Sequence, residues 1–190
     1  MNERGWTLLE LLLVVAIFLV MAAVSVPYLK AYSEEAHLLG AGRQFKSEFL
    51  RGRSIATRLN VHAAIRFEEQ PDGMYFSLYA DGNQNGVRSA DIRRGIDHRV
   101  SGPLPLTGGA PGVRVGINPD VPAIPPEQGT LNTGDPIVFG ANMLSFSPLG
   151  TATPGTFYLA GKYAQAAVRV NGASARVRLM ICRGGHWSER

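Results

Sequence analysis

A single carboxylate inside a long apolar segment is the first feature of the sequence with chemical meaning. Glu10 is the only charged residue between Trp6 and Val26, a run of 21 mostly apolar residues. A charged side chain in such a segment costs about 2.5–3.5 kcal/mol on membrane-insertion scales. We therefore expect a partner that neutralises the Glu10 carboxylate. Gly5 lies five residues before Glu10 and ends a short polar leader.

A second group of oxygen-bearing residues lies in segment 81–92. Its sequence, DGNQNGVRSADI, resembles a calcium-binding loop, with oxygen ligands at alternate positions and a glycine at the sixth. The candidate ligands are Asp81, Asn83, Asn85, the carbonyl group of Val87, and Asp91. The twelfth position, where a bidentate acid is expected, holds Ile92, although Asp97 is a substitute candidate. The alternative hypothesis is a loop whose Asp and Asn side chains cap its own backbone, without Ca²⁺.

The other reactive residue types form no recognisable catalytic pattern. The four histidines show no close metal-ligand pairing, and the motifs of serine hydrolases, phosphate loops and dinucleotide sites are missing from the sequence. Cys182 is the single cysteine, so no intramolecular disulfide can form. We expect Cys182 to be a small apolar residue in a C-terminal strand. These observations predict a protein that is not an enzyme.

The apolar segment has the length of a membrane span. A helix from Trp6 to Val26 is about 31 Å long, which matches the hydrocarbon core of a bilayer. Arg4 precedes the span, so the positive-inside rule predicts a cytoplasmic N-terminus and a head on the other side. Two alternatives are a plain anchor and a secretory signal peptide cleaved near Ala23-Val24-Ser25. Neither alternative explains Glu10.

The stretch RGWTLLELLLVVAIFLVMAAVSVP resembles the leader and first helix of type IV pilins and type II secretion pseudopilins. The resemblance implies that a prepilin peptidase cuts between Gly5 and Trp6, and that Trp6 is then N-methylated. The new α-amine of Trp6 would pair with Glu10 of a neighbouring subunit in a filament. The first mature residue in this family is usually Phe or Met, and here it is Trp6.

The rest of the chain predicts an α+β protein with a pilin-like organisation. We divide the sequence into a leader (1–5), a transmembrane helix (6–27), a periplasmic continuation of that helix (28–59) and a β-rich head (60–190). Buried positions of the continuation are predicted at Leu38, Ala41, Phe45, Phe49 and Ala56 by their helical spacing. The long helix should pack on an antiparallel sheet or pair of sheets.

Alternating apolar residues and turn signals predict short strands after residue 60. They are predicted at 61–67, 74–80, 113–117, 137–139, 144–146, 156–159, 166–170 and 176–181. Asn171-Gly172 is predicted to form a hairpin turn between the last two strands. Segment 101–136 is rich in glycine and proline, so we expect it to be mostly loop.

The order of these elements resembles the GspH/FimT branch of minor pseudopilins. The segments 146–150 (FSPLG) and 156–159 (TFYL) are similar to that branch, as is the basic strand containing Arg176 and Arg178. In its DNA-binding members a glycine precedes the two arginines, and here Ala175 stands in that place. The resemblance implies a phosphate-binding role for Arg176 and Arg178.

The sequence thus predicts a minor pseudopilin or pilus subunit in the inner membrane, with its head in the periplasm. The implied partners are a prepilin peptidase, other pilins or pseudopilins in a filament, the inner membrane, and secreted cargo or DNA. The alternative functions are a FimT-like DNA-binding minor pilin and a secreted or anchored head that binds Ca²⁺. No cofactor is predicted apart from this Ca²⁺.

Overall fold

The computed structural model describes residues 7–106 and 110–190, without the side chains of residues 24 and 27. Its first element is a single helix of 52 residues, α1 (Leu8–Leu59). Thr7 caps its N-terminus, and Asn60 ends it in the left-handed conformation with φ 54°. Asparagine is one of the few residue types that adopt this conformation readily. The long helix predicted from the sequence is confirmed.

The two halves of α1 have different surroundings. In the first half the apolar side chains are exposed, for example Leu12 at 59%, Phe18 at 66% and Leu29 at 65%. In the second half the predicted positions are all buried, namely Leu38, Ala41, Phe45, Phe49 and Ala56. The helix therefore enters the core of the head at about Leu38 and leaves the preceding turns uncovered.

The described strands form two antiparallel sheets. The first sheet has the order β3 (His98–Pro105), β2 (Gly73–Ala80), β1 (Ala63–Gln70) and β6 (Met143–Phe146). The second has the order β10 (His186–Glu189), β9 (Val177–Arg183), β8 (Gln165–Val170), β7 (Gly155–Ala160) and β4 (Arg114–Val115), and β5 (Ile137–Val138) also pairs with β7. The short helix α2 (Ser89–Arg94) and a 3-10 turn at Gly140–Asn142 connect strands. The fold class is α+β, as predicted.

Helix α1 and both sheets share one hydrophobic core. The rings of Phe45 on α1 and Phe157 on β7 have centroids 4.6 Å apart. Phe67 on β1 stacks on Phe157 at 5.8 Å and on Phe139 at the same distance. These aromatic contacts join the helix to the two sheets, and each adds to the free energy gained from burying the rings.

Two glycines bring α1 close to the sheets. A Cβ atom added at Gly42 would lie 2.6 Å from Leu179 Cδ1, and one added at Gly52 would lie 3.2 Å from Phe146 Cε2. Glycine weakens an isolated helix, but here the missing side chain leaves space for a side chain of the sheet. The helix thus packs closely on the sheets, as expected for the long helix of this chain.

The loops of the head divide between the two ends of the packed half of α1. The turn after β7 packs against Leu38, because a Cβ atom at Gly161 would lie 3.3 Å from Leu38 Cδ2. At the other end, the amide of Asp81 donates to the carbonyl oxygen of His62, just beyond α1. Leu38 and Leu59 are about 32 Å apart along the helix. The end of β6 is at this end too, because Phe146 pairs with Ala63, so the loops that follow β2 and β6 lie far from the exposed half of α1.

Three predictions about the head were wrong. Strand β3 (His98–Pro105) includes residues that the sequence predicted to be loop, and it tolerates Pro103 and Pro105 because it is an edge strand. Segment 113–117 forms only the two-residue strand β4. Residues 186–189, for which no strand was predicted, form β10, since they pair with the end of β9.

The hairpin between β8 and β9 also differs from the prediction. The strands are joined by six residues, 171–176, and not by a two-residue Asn-Gly turn. The amide of Asn171 donates to the carbonyl of Arg176, and the Asn171 side chain accepts from the Ser174 amide. The backbone and side chain of Asn171 stabilise this wider loop. Strand β9 therefore starts at Val177, one residue later than predicted.

Candidate functional sites

The start of α1 is a capping box formed by Thr7 and Glu10. The Glu10 amide donates to Thr7 Oγ1 at 3.3 Å, while the Thr7 amide and hydroxyl donate to Glu10 Oε2 at 3.0 and 3.2 Å. This arrangement satisfies donors that have no partner inside the helix. The carboxylate is thus held by its own helix terminus within a single chain. Gly5 and Trp6, the predicted cleavage and methylation residues, lie outside the described residues.

The Thr7 contact was missed at the level of sequence, although its signal is present. A threonine followed three residues later by glutamate, before an apolar run, is the signature of a capping box. The helix dipole adds to this contact, because a negative charge is favourable in the first turn. Thr7 therefore fixes the orientation of the carboxylate that the sequence singled out.

The exposed half of α1 is long and apolar enough to cross a membrane by length and composition. None of its most apolar 18-residue window is buried inside the protein. A core helix of a soluble protein would instead have that window mostly covered. Among residues 7–106 and 110–190, the apolar surface of this segment therefore has no partner.

The predicted calcium loop is organised around buried carboxylates. Asp81 is 5% exposed, and its Oδ1 accepts hydrogen bonds from the amides of Asn83 and Gln84 at 3.0 and 2.8 Å. Its Oδ2 accepts from the Gly86 amide at 2.6 Å. Asn83 in turn accepts from the Asn85 amide at 3.3 Å. These are the backbone-capping contacts that the alternative hypothesis predicts.

Two further carboxylates close the same loop. Asp97 is 3% exposed and accepts from the amides of Gly82 and Arg88, at 3.2 and 2.9 Å. Asp91 lies in α2, is 6% exposed and accepts from the Asn85 side-chain amide at 3.1 Å. Asp97 was only a substitute ligand in the sequence, yet it ties both ends of the loop together. Helix α2, which the sequence did not predict, places Asp91 beside Asn85.

The structure brings the proposed calcium ligands together, but it engages the oxygens of Asp81 and Asn83 with backbone amides and an oxygen of Asp91 with the side-chain amide of Asn85. Val87 is buried at the end of this loop, and Ile92 lies in α2. Within residues 7–106 and 110–190, no group of three or more His, Cys, Asp or Glu side chains is arranged to hold a metal ion. Calcium binding by this loop stays a prediction.

Arg176 and Arg178 lie beside a polar groove on the second sheet. Arg178 faces Arg169 of β8 directly across the strand pair. The three arginines line a groove of about 500 Å³ that Glu127 and Tyr158 also line. The groove has the cationic groups that a phosphate or carboxylate ligand requires.

Acidic residues already pair with each of these arginines. Glu189 on β10 contacts Arg176 at 3.3 Å and Arg178 at 3.9 Å. Arg169 pairs with Glu127 at 2.5 Å. Sequence reasoning missed Glu189, because its position depends on the pairing of β10 with β9. The positive potential of the groove is therefore lower than the arginines alone would give.

Ala175 shows why a glycine suits the position before the two arginines. Its φ is 48°, in the left-handed region that disfavours side chains, and it is fully buried. Ala175 thus adopts the backbone conformation that a glycine would adopt without strain.

No family model, no curated protein and no solved structure matches this chain. The described structure defines an α+β protein in which an exposed apolar helix continues into the core of a β-rich head.

Proposed function

We propose that the protein is a minor pseudopilin of the GspH/FimT type, a structural subunit of a type II secretion pseudopilus or a type IV pilus. Its apolar helix anchors it in the inner membrane, with the N-terminus in the cytoplasm and the head in the periplasm. A prepilin peptidase cuts between Gly5 and Trp6, and Trp6 is N-methylated. The protein then enters a filament through its helix.

One observation supports this proposal most directly, namely the change of burial within one continuous helix. About 45 Å of α1 precede Leu38 and carry exposed apolar side chains, while the rest is built into the head. Lipid can cover the exposed half in the membrane, and helices of other subunits can cover it in a filament. Because the helix is continuous, packing of the apolar halves fixes where the heads lie.

The capping box supports a role for Glu10 at the filament axis. In a single chain, Thr7 holds the Glu10 carboxylate at the start of the helix. After cleavage, the Trp6 amine of a neighbour adds a cation at the same level, and two opposite charges in an apolar bundle neutralise each other. Apolar packing supplies affinity, and the charge pair supplies the register of subunits.

The first test is the intact mass of the membrane-extracted protein, with and without a co-expressed prepilin peptidase. We expect loss of residues 1–5, with or without one added methyl group. Loss of about 25 residues would indicate a cleaved signal peptide and overturn the proposal. An uncut chain in both samples would indicate a plain anchored protein and would also overturn the proposal.

The second test separates the charge of Glu10 from its capping role. Glu10→Gln keeps a side chain that can cap the helix, but it removes the charge. We expect normal cleavage and loss of cross-linking to other subunits. Ser25→Ala is the matched control, because Ser25 is also a polar residue of the apolar segment and only hydrogen-bonds the Met21 carbonyl. Normal assembly of Glu10→Gln would reject the charge pair.

The second candidate function is a DNA-binding minor pilin, favoured by the arginines that line one groove. DNA retention by the detergent-solubilised chain should fall with added salt. Arg176→Ala combined with Arg178→Ala should reduce the salt slope by about 1.8, or 0.9 for each lost phosphate contact. Glu189→Gln should strengthen retention, because it releases both arginines. Glu69→Gln, the same charge change on the exposed part of β1, is the control and should have a much smaller effect.

A further inference from the structure

The turn between β7 and β8 lies beside the point where α1 leaves the head. Lys162 and Tyr163 form its tip, closed by a 3.0 Å hydrogen bond from the Gly161 amide to the Ala164 carbonyl. Both tip side chains are exposed, Tyr163 at 60%, and the Lys162 ammonium lies 5.1 Å from the centre of the Tyr163 ring. The tip therefore presents a cation and an amphipathic ring to the surroundings.

The position of this tip along α1 is fixed by packing. Gly161 lies against Leu38, which is fully buried. Arg183 at the end of β9 forms an ion pair with Glu35 on α1. Tyr32 and the tip residues line one shallow pocket of about 210 Å³. The tip is thus held level with the turns of α1 between Tyr32 and Leu38.

Tyr32, the end of that range nearest the apolar segment, lies at the outer edge of the headgroup layer when Val26 marks the end of the hydrocarbon core. Tyr28 and Tyr32 follow Val26 by about 3 and 9 Å along the helix axis. The headgroup layer extends about 5–8 Å beyond the hydrocarbon core on each side. The two tyrosines are one turn apart on the same helix face, and they are 74% and 76% exposed. Exposed tyrosines at this depth are typical of membrane interfaces.

We infer that Tyr28, Tyr32, Lys162 and Tyr163 form a docking surface for the headgroups of anionic phospholipids. This inference rests on the proposed membrane anchor. It goes further by identifying the face of the head that contacts the bilayer. The rings occupy the interface, and the Lys162 ammonium pairs with lipid phosphate. Such contacts hold the head in one orientation on the membrane before a filament forms.

Glu34 is close enough to act on Lys162, so the acidic groups near the tip reduce its positive potential without forming an ion pair with it among the described residues. Glu35 is paired with Arg183, and one carboxylate oxygen of Glu34 is buried within the protein. Lys162 is exposed and has no ion-pair partner among the described residues. Its attraction to an anionic surface decays within a Debye length, about 8 Å at physiological salt, so the tip must lie close to the lipid.

The test uses the full chain, one copy per lipid nanodisc, with either phosphatidylglycerol or phosphatidylcholine. Tyr163→Trp serves as a fluorescent reporter in a background that carries Trp6→Phe and Trp187→Phe. Leu149→Trp in the same background is the reference, because Leu149 is 90% exposed and follows β6 at the distant end of α1. Unchanged thermal unfolding of each reporter checks that it is folded.

We expect brominated lipids to quench the reporter at position 163 and to leave the one at position 149 unquenched. Lys162→Gln should weaken docking about fivefold in phosphatidylglycerol discs and much less in phosphatidylcholine discs. Arg94→Gln is the charge-matched control at the distant end of the head, and it should change nothing.

Two results would overturn the docking surface. Equal quenching at both positions would show that the tip has no special contact with lipid. Quenching that required several chains per disc would assign this face to a second copy of the protein. If the chain did not elute with the discs, the proposed membrane anchor itself would be rejected. This result differs from the two above, so failure of the anchor can be told apart from failure of the docking surface.

Discussion

The backbone amide of Gly86 donates a 2.6 Å hydrogen bond to Oδ2 of Asp81, across the loop that follows β2. The other oxygen of Asp81 accepts from the amides of Asn83 and Gln84. One buried carboxylate therefore satisfies three backbone donors that no strand or helix serves. The loop is therefore held by hydrogen bonds to the Asp81 carboxylate and not by the repeating backbone hydrogen bonds of a helix or strand.

Asp81→Ala should lower the free energy of unfolding by about 3 kcal/mol, because three backbone amides lose their carboxylate acceptor. Urea unfolding of the detergent-solubilised chain measures this change. Asp135→Ala, on an exposed loop, is the control and should stay within about 0.5 kcal/mol of the parent protein. A change of similar size in both variants would contradict the central role of Asp81.

Calcium binding and backbone capping predict different responses to the ion. If the loop binds Ca²⁺, the free energy of unfolding rises by about 2.7 kcal/mol at a concentration 100 times the dissociation constant. Asp91→Asn should then reduce the rise, because it removes a charged ligand. If the loop only caps its backbone, Ca²⁺ and a chelator should give the same unfolding curve, and the calcium hypothesis would be rejected.

Gly40 and Gly42 offer a matched test of how α1 packs on the second sheet. No atom lies within 4 Å of a Cβ added at Gly40, so Gly40→Ala should raise the free energy of unfolding by about 1 kcal/mol. Gly42→Ala should lower it by about 1–3 kcal/mol, because the new methyl group meets Leu179. Equal stabilisation by both substitutions would show that the helix does not lie so close to β9.

The thiol of Cys182 should respond to pH as a buried group. Burial raises its pKa above the usual value, and a hydrogen bond from the Gly185 amide offsets this only in part. The folded state therefore keeps the proton longer than the unfolded state. The associated stability is full below the unfolded pKa of about 8.5 and is lost as the pH rises through the folded pKa.

Alkylation rates with iodoacetamide between neutral and alkaline pH check this expectation for Cys182. The native thiol should react much more slowly than the same thiol in urea, and its rate should rise at a higher pH. The difference in unfolding free energy between the parent protein and Cys182→Ala should also shrink above the unfolded pKa. A native thiol as reactive as the unfolded one would contradict its burial.

Much of the secondary structure followed from local patterns. The helical spacing of Leu38, Phe45 and Phe49 correctly identified the face of α1 that enters the core. The alternation in β1 and β2 and the apolar runs of β7 and β8 located these strands to within three residues. Strand β3 could not be predicted in this way, because its prolines are tolerated only at a sheet edge.

The candidate sites were predicted less completely. Sequence singled out Glu10, Asp81 and Arg178, since each is an unusual residue type in its local context. It could not supply the distant residues that complete the Asp81 loop and that pair with Arg178. Asp97 meets the amide of Gly82 from 15 residues away, and Glu189 meets Arg176 only because β10 turns back along β9.

The sequence by itself determined the apolar helix, the carboxylate within it and the β-rich character of the head, because these depend on residues close together in the chain. The tertiary structure decided which acids pair with the groove arginines and that Lys162 and Tyr163 lie beside Tyr32. These relationships depend on strand order and on packing between distant segments. Such contacts leave no periodic signal in the sequence, since each is formed only when the whole head closes around α1.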